Sequence, residues 1–370
     1  MIAQTQPVKL SQGYMIQLDA LRAFAIVCVM LSHFIPRNVP NSFVSANWAI
    51  CEWFPGVPLF FVLSGFLITG ILLRCRDATI YARQSFGFTL RRFYIRRLLR
   101  IIPIYYLTLI VTALMFEKVR NIFFWHLTYT TNIQVFIQGT FDRTSSHFWS
   151  LATEEQFYLI WPLLVLFTPK QHLLKVIIAA IGLAMVSRFG CYALGLNRDQ
   201  IYVFPLTSLD RLGLGALLAF FTHHQNYYAR HKQILCDLGL WVCLPSIVFI
   251  IAFANTKDID ILIKPTVIAI FYVWLVSRAA DGFGGVVGKA MELEPIVFLG
   301  KISYGMYVYH YFMNPVFTKI YEIIGFVDTL PVTVEVILKL AASMIISIVS
   351  WFYIEQPINN LKHHFSYEKT

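Results

Sequence analysis

The chain has 370 residues, of which 58% are hydrophobic and only 14% charged, against about 25% charged in an average soluble protein. With a mean hydropathy of +0.63, it has too little polar surface to cover a soluble globule, and disordered and fibrous classes are excluded too. A net charge of +10 would suggest nucleic-acid binding in a soluble chain, but here Lys and Arg sit at the ends of apolar runs, which excludes that class.

A bilayer core of roughly 30 Å takes about 20 residues of apolar helix, and about ten segments approach that length. They cover residues 17–35, 57–73, 101–116, 150–168, 173–194, 206–222, 237–254, 261–277, 296–317 and 333–354. The expected fold is therefore an all-α integral membrane bundle of about ten transmembrane helices. The stretch 121–137 is apolar and aromatic but interrupted by polar residues, and reads as interfacial or re-entrant. Eight arginines follow the second span: Arg74, Arg76, Arg83, Arg91, Arg92, Arg96, Arg97 and Arg100. Placing them in the cytoplasm puts both termini inside and distributes about 17 Lys/Arg inside against about 8 outside. The first segment has no small-residue cleavage site and contains Arg22 and His33, so it reads as a working helix rather than a signal peptide. With no linker-like stretch and no internal repeat, residues 1–370 are expected to form a single membrane domain with polar tails at 1–15 and 358–370 and no extra extracytoplasmic domain. Six scattered cysteines show no metal-ligand spacing, and no metal site is expected.

Ionisable side chains inside such helices cost a few kcal/mol and need a partner or a purpose. Arg22 and His33 lie eleven residues apart, sharing a helix face to within roughly 20° and separated by about 16 Å along the axis. They read either as a snorkelling arginine and a packed histidine, or as a polar path that ends in a group able to act as a base near neutral pH. In the second span, Ser64 and Gly65 allow a backbone or a ligand to approach closely. The run Arg91, Arg92, Arg96, Arg97, Arg100, interleaved with aromatic and aliphatic residues, fits either an amphipathic helix on anionic lipid or a phosphate-binding mouth. The fourth span opens with His147, Trp149, Ser150, Glu154 and Glu155. There adjacent carboxylates point about 100° apart, so that one pairs with a cation and the other caps or orients. Asp210 and Arg211 open the sixth span as a mutually neutralising pair, and His310 lies among four tyrosines as a hydrogen-bonded histidine.

Taken in order, these residues resemble the acyltransferase family 3 membrane proteins. The likeness rests on Arg22-x10-His33, Phe60-Phe61-x-x-Ser64-Gly65-Phe66, and Arg97-x-x-Arg100-x-x-Pro103. It continues in Trp149-Ser150-Leu151-x-x-Glu154-Glu155-x-Phe157-Tyr158-Leu159-x-x-Pro162, in Ser303-Tyr304-Gly305 with His310 downstream, and in Glu355 and Pro357. The resemblance implies a bacterial inner-membrane enzyme that moves an acyl group, commonly acetyl, from cytoplasmic acyl-CoA to a hydroxyl of a cell-surface glycan or glycolipid. Acetyl-CoA would be a co-substrate rather than a bound cofactor. On that reading His33 is general base or transient acyl carrier, and Glu154 orients or charge-balances it. Arg22, Ser64, Arg97 and Arg100 hold the donor, while Trp149, Ser150, Glu155 and His310 support the acceptor side. The partners are acyl-CoA, the glycan and the lipid bilayer, with no nucleic acid. The oligomeric state has no signature in the sequence. A transporter or flippase for a lipid-linked or anionic solute is the alternative, since buried His, Arg and Glu also mark transport paths. It would predict repeated, interrupted helices, which the sequence lacks.

Overall fold

The computed structural model describes residues 14–36, 51, 53–81, 85–142, 144–253, 256–325 and 330–367. The tail residues 1–13 and 368–370, Arg83, and residue 254 of the seventh expected span lie outside the described residues. All regular structure within them is helical. The main helices are α1 (Ile16–Phe34), α2 (Gly56–Tyr81), α3 (Phe86–Met115), α4 (Phe148–Phe167), α5 (Lys170–Ala193), α6 (Leu209–His223), α7 (Gln225–Asp237), α8 (Lys264–Asp281), α9 (Ser303–His310) and α10 (Val332–Ser350). α7 runs on through a wider turn at Leu238–Cys243 into Leu244–Phe253.

Every predicted apolar segment falls on helix, but the helices are less uniform than about ten equal spans. Among the described residues, six are long and apolar enough to cross a membrane: Ile16–Phe34, Gly56–Ile80, Phe86–Met115, Lys170–Ala193, Gln225–Ile250 and Val332–Phe365. A seventh is added if Lys264–Asp281 and Gly285–Met291, bent by 86°, form one span. Three causes account for the difference. In α4, Glu154, Glu155 and Gln156 dilute an otherwise sufficient length, and α6 has only 15 residues. The expected span at 296–317 is broken into Glu294–Lys301, α9 and Met313–Ile324. The stretch 121–137 forms short helices, Phe123–Leu127 and Thr131–Gln138, joined through Tyr129 at a φ of 52°. Neither helix is long enough to span a bilayer by itself.

Apolar side chains divide between the interior and an outer surface. Leu18, Ile26, Met30, Leu59, Val62, Leu72, Leu212 and Val273 are fully buried. Ile178, Val186 and Phe189 of α5, and Ile337, Ile345 and Val349 of α10, are exposed. Exposed apolar rows on long helices are what lipid contact requires.

Helices that gain no hydrophobic drive from leaving lipid associate by close packing, so small residues mark their contacts. α2 and α6 meet this way: a Cβ on Gly65 would lie 1.9 Å from the Leu212 carbonyl oxygen, and one on Gly215 would lie 2.1 Å from that of Val62. The contact presents Ser64, next in sequence to Gly65, toward α4. Gly65→Ala is therefore expected to lower the thermal stability of the detergent-solubilised protein by roughly 1–3 kcal/mol. Gly182→Ala in α5, where a Cβ meets nothing within 4 Å, should leave it unchanged or raised. Equal melting temperatures for the two variants would refute this account of the α2–α6 contact.

Candidate active site

A cavity of about 190 Å³ lies between α1, α2, α3, α4 and α9. Its polar wall combines three cations, Arg22, Arg97 and Arg100, two carboxylates, Glu154 and Glu155, and the hydroxyls of Ser64, Ser150, Ser303, Tyr304 and Tyr307. Phe60, Phe61, Leu63, Leu67, Ile68 and Ile71 of α2 form the apolar side. Three of these charges have a specific neighbour. Asp19, one turn earlier on α1, pairs with Arg22 and also accepts a hydrogen bond from Tyr14. Arg97 lies over the ring of Tyr158 at 4.2 Å. Ser64 Oγ donates to Glu154 Oε1 at 2.5 Å and is 2.8 Å from the Tyr158 hydroxyl. The Tyr304 hydroxyl donates to the Ile101 carbonyl, tying α9 to the cavity end of α3.

The arginines of α3 divide between two sets of partners, although Arg96 and Arg100, four residues apart, are neighbours on the helix surface. Arg92 donates to the His364 carbonyl at 2.6 Å and Arg96 to the Lys362 carbonyl at 2.8 Å. These two clamp the helical turn Leu361–Phe365, so the described part of the expected C-terminal tail is docked structure. Arg97 and Arg100 face the cavity, where the buried Nε of Arg97 has no partner among the described residues.

His33 belongs to a second cluster beside the cavity. Its Nδ1 is 3.0 Å from His310 Nε2, with the rings stacked at 5.1 Å, and it meets the Tyr311 ring edge-on at 4.9 Å. His310 Nδ1 is 2.7 Å from the Tyr307 carbonyl oxygen. A carbonyl can only accept, so for neutral rings Nδ1 of His310 carries the proton and its Nε2 is the acceptor. His33 then donates through Nδ1, and its lone pair is on Nε2. His147 is buried at 3% exposure, donates through Nε2 to the Val308 carbonyl at 3.3 Å and stacks on Tyr311 at 4.8 Å. The two clusters meet at Tyr307, whose carbonyl fixes His310 and whose hydroxyl is 2.5 Å from Ser150 Oγ in the cavity wall.

The sequence profile of the acyltransferase domain family matches residues 15–352, a range containing both clusters. The chain belongs to that family. It is 28% identical over 377 residues to the peptidoglycan O-acetyltransferase OatA of Listeria monocytogenes, covering 94% of this chain and 56% of that protein. It is 27% identical over 379 residues to the O-acetyltransferase OatA of Staphylococcus aureus, with 94% and 58% covered. The putative peptidoglycan O-acetyltransferase YrhL of Bacillus subtilis is 27% identical over 373 residues, with 93% and 55% covered. The chain thus spans a little over half the length of these curated relatives. No solved structure matches it significantly.

In this member of the family, the structure gathers Arg22, Ser64, Arg97, Arg100, Ser150, Glu154 and Glu155 into one cavity and joins His33 to His310. Two expectations are corrected. Glu154 is bonded to Ser64, and the ring that orients His33 is His310, because α4 turns Glu154 toward α2 and α3 whereas α9 brings His310 against α1. Trp149 does not line the cavity; its ring is packed in the core against Tyr202 at 4.9 Å and Phe61 at 6.1 Å. Sequence reasoning assigned no role to Asp19, His147, Tyr158 or Tyr307. Asp19 was detectable three residues before Arg22 and Tyr158 four residues after Glu154, both helix-neighbour spacings. His147, at the start of the fourth span, and Tyr307, among the tyrosines around His310, lay in stretches the sequence singled out, but nothing local gave their partners. Arg92→Ala and Arg96→Ala should each speed protease cleavage near residues 361–367 several-fold, and Arg97→Ala should not. Uniform protection in all three variants would sink the division of the α3 arginines between the C-terminal turn and the cavity.

Proposed function

We propose that this acyltransferase is a bacterial inner-membrane O-acetyltransferase, which moves an acetyl group from cytoplasmic acyl-CoA to a hydroxyl of a cell-surface glycan. The observation that carries the reading is the direct adjacency of a cation-rich cavity to an oriented histidine relay. A cavity of about 190 Å³ is smaller than the roughly 300–1,000 Å³ of common ligand pockets. It suits a slender acyl-pantetheine arm, with the nucleotide at the mouth. Arginine is the preferred partner of phosphate, and Arg97, Arg100 and Arg22 supply that chemistry. Glu154 balances their charge and holds Ser64 at the wall. The names of the relatives, which act on peptidoglycan or carry O-acetyltransferase activity, support a cell-wall glycan as acceptor.

In this mechanism His33 Nε2 takes the proton of the acceptor hydroxyl as its oxygen attacks the thioester carbonyl. The carbon–sulfur bond breaks, and the proton passes to the departing thiolate. His310 accepts from His33 Nδ1 throughout and stabilises the imidazolium that forms transiently. Arg22 and His33, about 16 Å apart along α1, define the length over which the donor arm extends from the phosphate-binding end to the reacting carbonyl.

Labelled acetyl-CoA incubated with membranes tests the reading. Wild type should consume the thioester and place label in glycan, and His33→Ala should lower this at least ~10²-fold while the protein remains folded and inserted. Wild-type turnover in His33→Ala would remove His33 from the chemistry. Replacing Arg97 and Arg100 by Ala should weaken acetyl-CoA binding about tenfold or more with unchanged topology; undiminished affinity would remove them from donor binding. Absence of acetyl-CoA binding by wild type would overturn the proposal and favour a transport role.

A further inference from the structure

A second cavity, of about 50 Å³, is lined by Arg188, Arg198, Tyr202, Arg211 and Asp260. Arg188 and Arg211 have side chains only 1% exposed and share the fully buried Asp210. Arg188 is spent: it donates to Asp210 Oδ2 at 2.5 Å, to the Thr207 carbonyl at 2.9 Å and to Thr266 Oγ1 at 2.8 Å. Arg211 is not. Its Nε reaches Asp210 Oδ1 at 3.3 Å and one terminal nitrogen reaches the Thr207 carbonyl at 3.1 Å. The other, Nη1, is buried with no hydrogen-bond partner among the described residues. Asp260 is occupied by Lys264 at 2.9 Å, with Arg198 at 3.9 Å. Four cations, Arg188, Arg198, Arg211 and Lys264, thus surround two carboxylates, Asp210 and Asp260. The expected mutual neutralisation of Asp210 and Arg211 is incomplete, because Arg188 takes a share of the same carboxylate.

An unspent donor on a buried cation is costly, and surplus positive charge around it favours an anion over a neutral ligand. The volume has room for roughly three or four waters, enough for a planar carboxylate, which the guanidinium fork matches. The second cavity is also close to the first. The Arg211 guanidinium is 5.9 Å from the ring of Phe61, which lines the first cavity. Tyr202 packs on Trp149, the neighbour of Ser150.

We propose that Arg211 and Arg198, backed by the charge of Arg188, form a subsite for a carboxylate group of the acceptor, so that this acyltransferase selects glycans bearing a carboxylate near the hydroxyl that is acylated. The acceptor assignment rests on the acyl-transfer reading; carboxylate binding does not.

The full chain in detergent is titrated with sodium lactate or with lactamide at constant ionic strength, following the thermal midpoint. Lactate should raise it saturably and lactamide should not. Arg198→Gln, a change at a mostly exposed side chain that should fold, and Arg211→Lys should weaken the lactate effect about tenfold. Equal responses to lactate and lactamide, or an undiminished response in both variants, would overturn the subsite. A saturable response to inorganic phosphate in place of lactate would overturn the carboxylate assignment. In the transfer assay, lactate should compete with the glycan and leave acetyl-CoA binding unaltered; competition with acetyl-CoA would overturn the acceptor assignment. Failure of acetyl transfer altogether would count against the enzymatic reading and leave the binding result to decide the subsite.

Discussion

A charge placed inside a helix bundle of bilayer length has no water to fall back on, and the arrangement of this protein depends on that constraint. Arg22, Arg97, Arg100, Glu154, Glu155, Arg188, Asp210 and Arg211 would each be costly against lipid. The helices turn them toward one another and toward two cavities, while α5 and α10 offer apolar rows outward. Polar chemistry is thereby concentrated where several helices meet. The same requirement explains the companions of four of these charges: Asp19 for Arg22, the Tyr158 ring for Arg97, Ser64 for Glu154 and Thr266 for Asp210.

Holding those groups in register needs helices closer than ordinary side chains allow. The reciprocal approach of Gly65 and Gly215 fixes α2 against α6, and a Cβ on Gly300 would lie 2.0 Å from the Asp19 carbonyl oxygen, which fixes Glu294–Lys301 against α1. The first contact positions Ser64 and Phe61, which face the cavity. The second lies near the start of α1, beside Asp19 and Arg22. Close backbone packing and the reactive geometry are therefore two consequences of the same small residues.

α3 shows how one helix serves both architecture and chemistry. Of its run of arginines, Arg92 and Arg96 bind backbone carbonyls of Leu361–Phe365, while Arg97 and Arg100 line the cavity. The C-terminal turn and the cavity mouth thus share a rigid support. On the far side of the cavity, α9 supplies Tyr307 and His310, linking Ser150 to His33 through a hydroxyl, a carbonyl and an imidazole.

Composition and the spacing of apolar runs, read from the sequence alone, determined that the chain is an all-helical membrane protein, because hydropathy over a helix length is a local property. Motif order likewise determined the family and named Arg22, Ser64, Arg97, Arg100, Ser150, Glu154 and Glu155, all of which converge on one cavity. Tertiary structure alone decided the partners. That His33 is paired with His310, that Glu154 is paired with Ser64, and that Trp149 is core depends on how α1, α2, α4 and α9 are rotated about their axes. Contacts between residues 277 positions apart, as for His33 and His310, leave no periodic trace in either helix. The number of uniform spans was also beyond local reading, since a broken helix and a continuous one can share the same mean hydropathy, and only packing shows where the backbone bends.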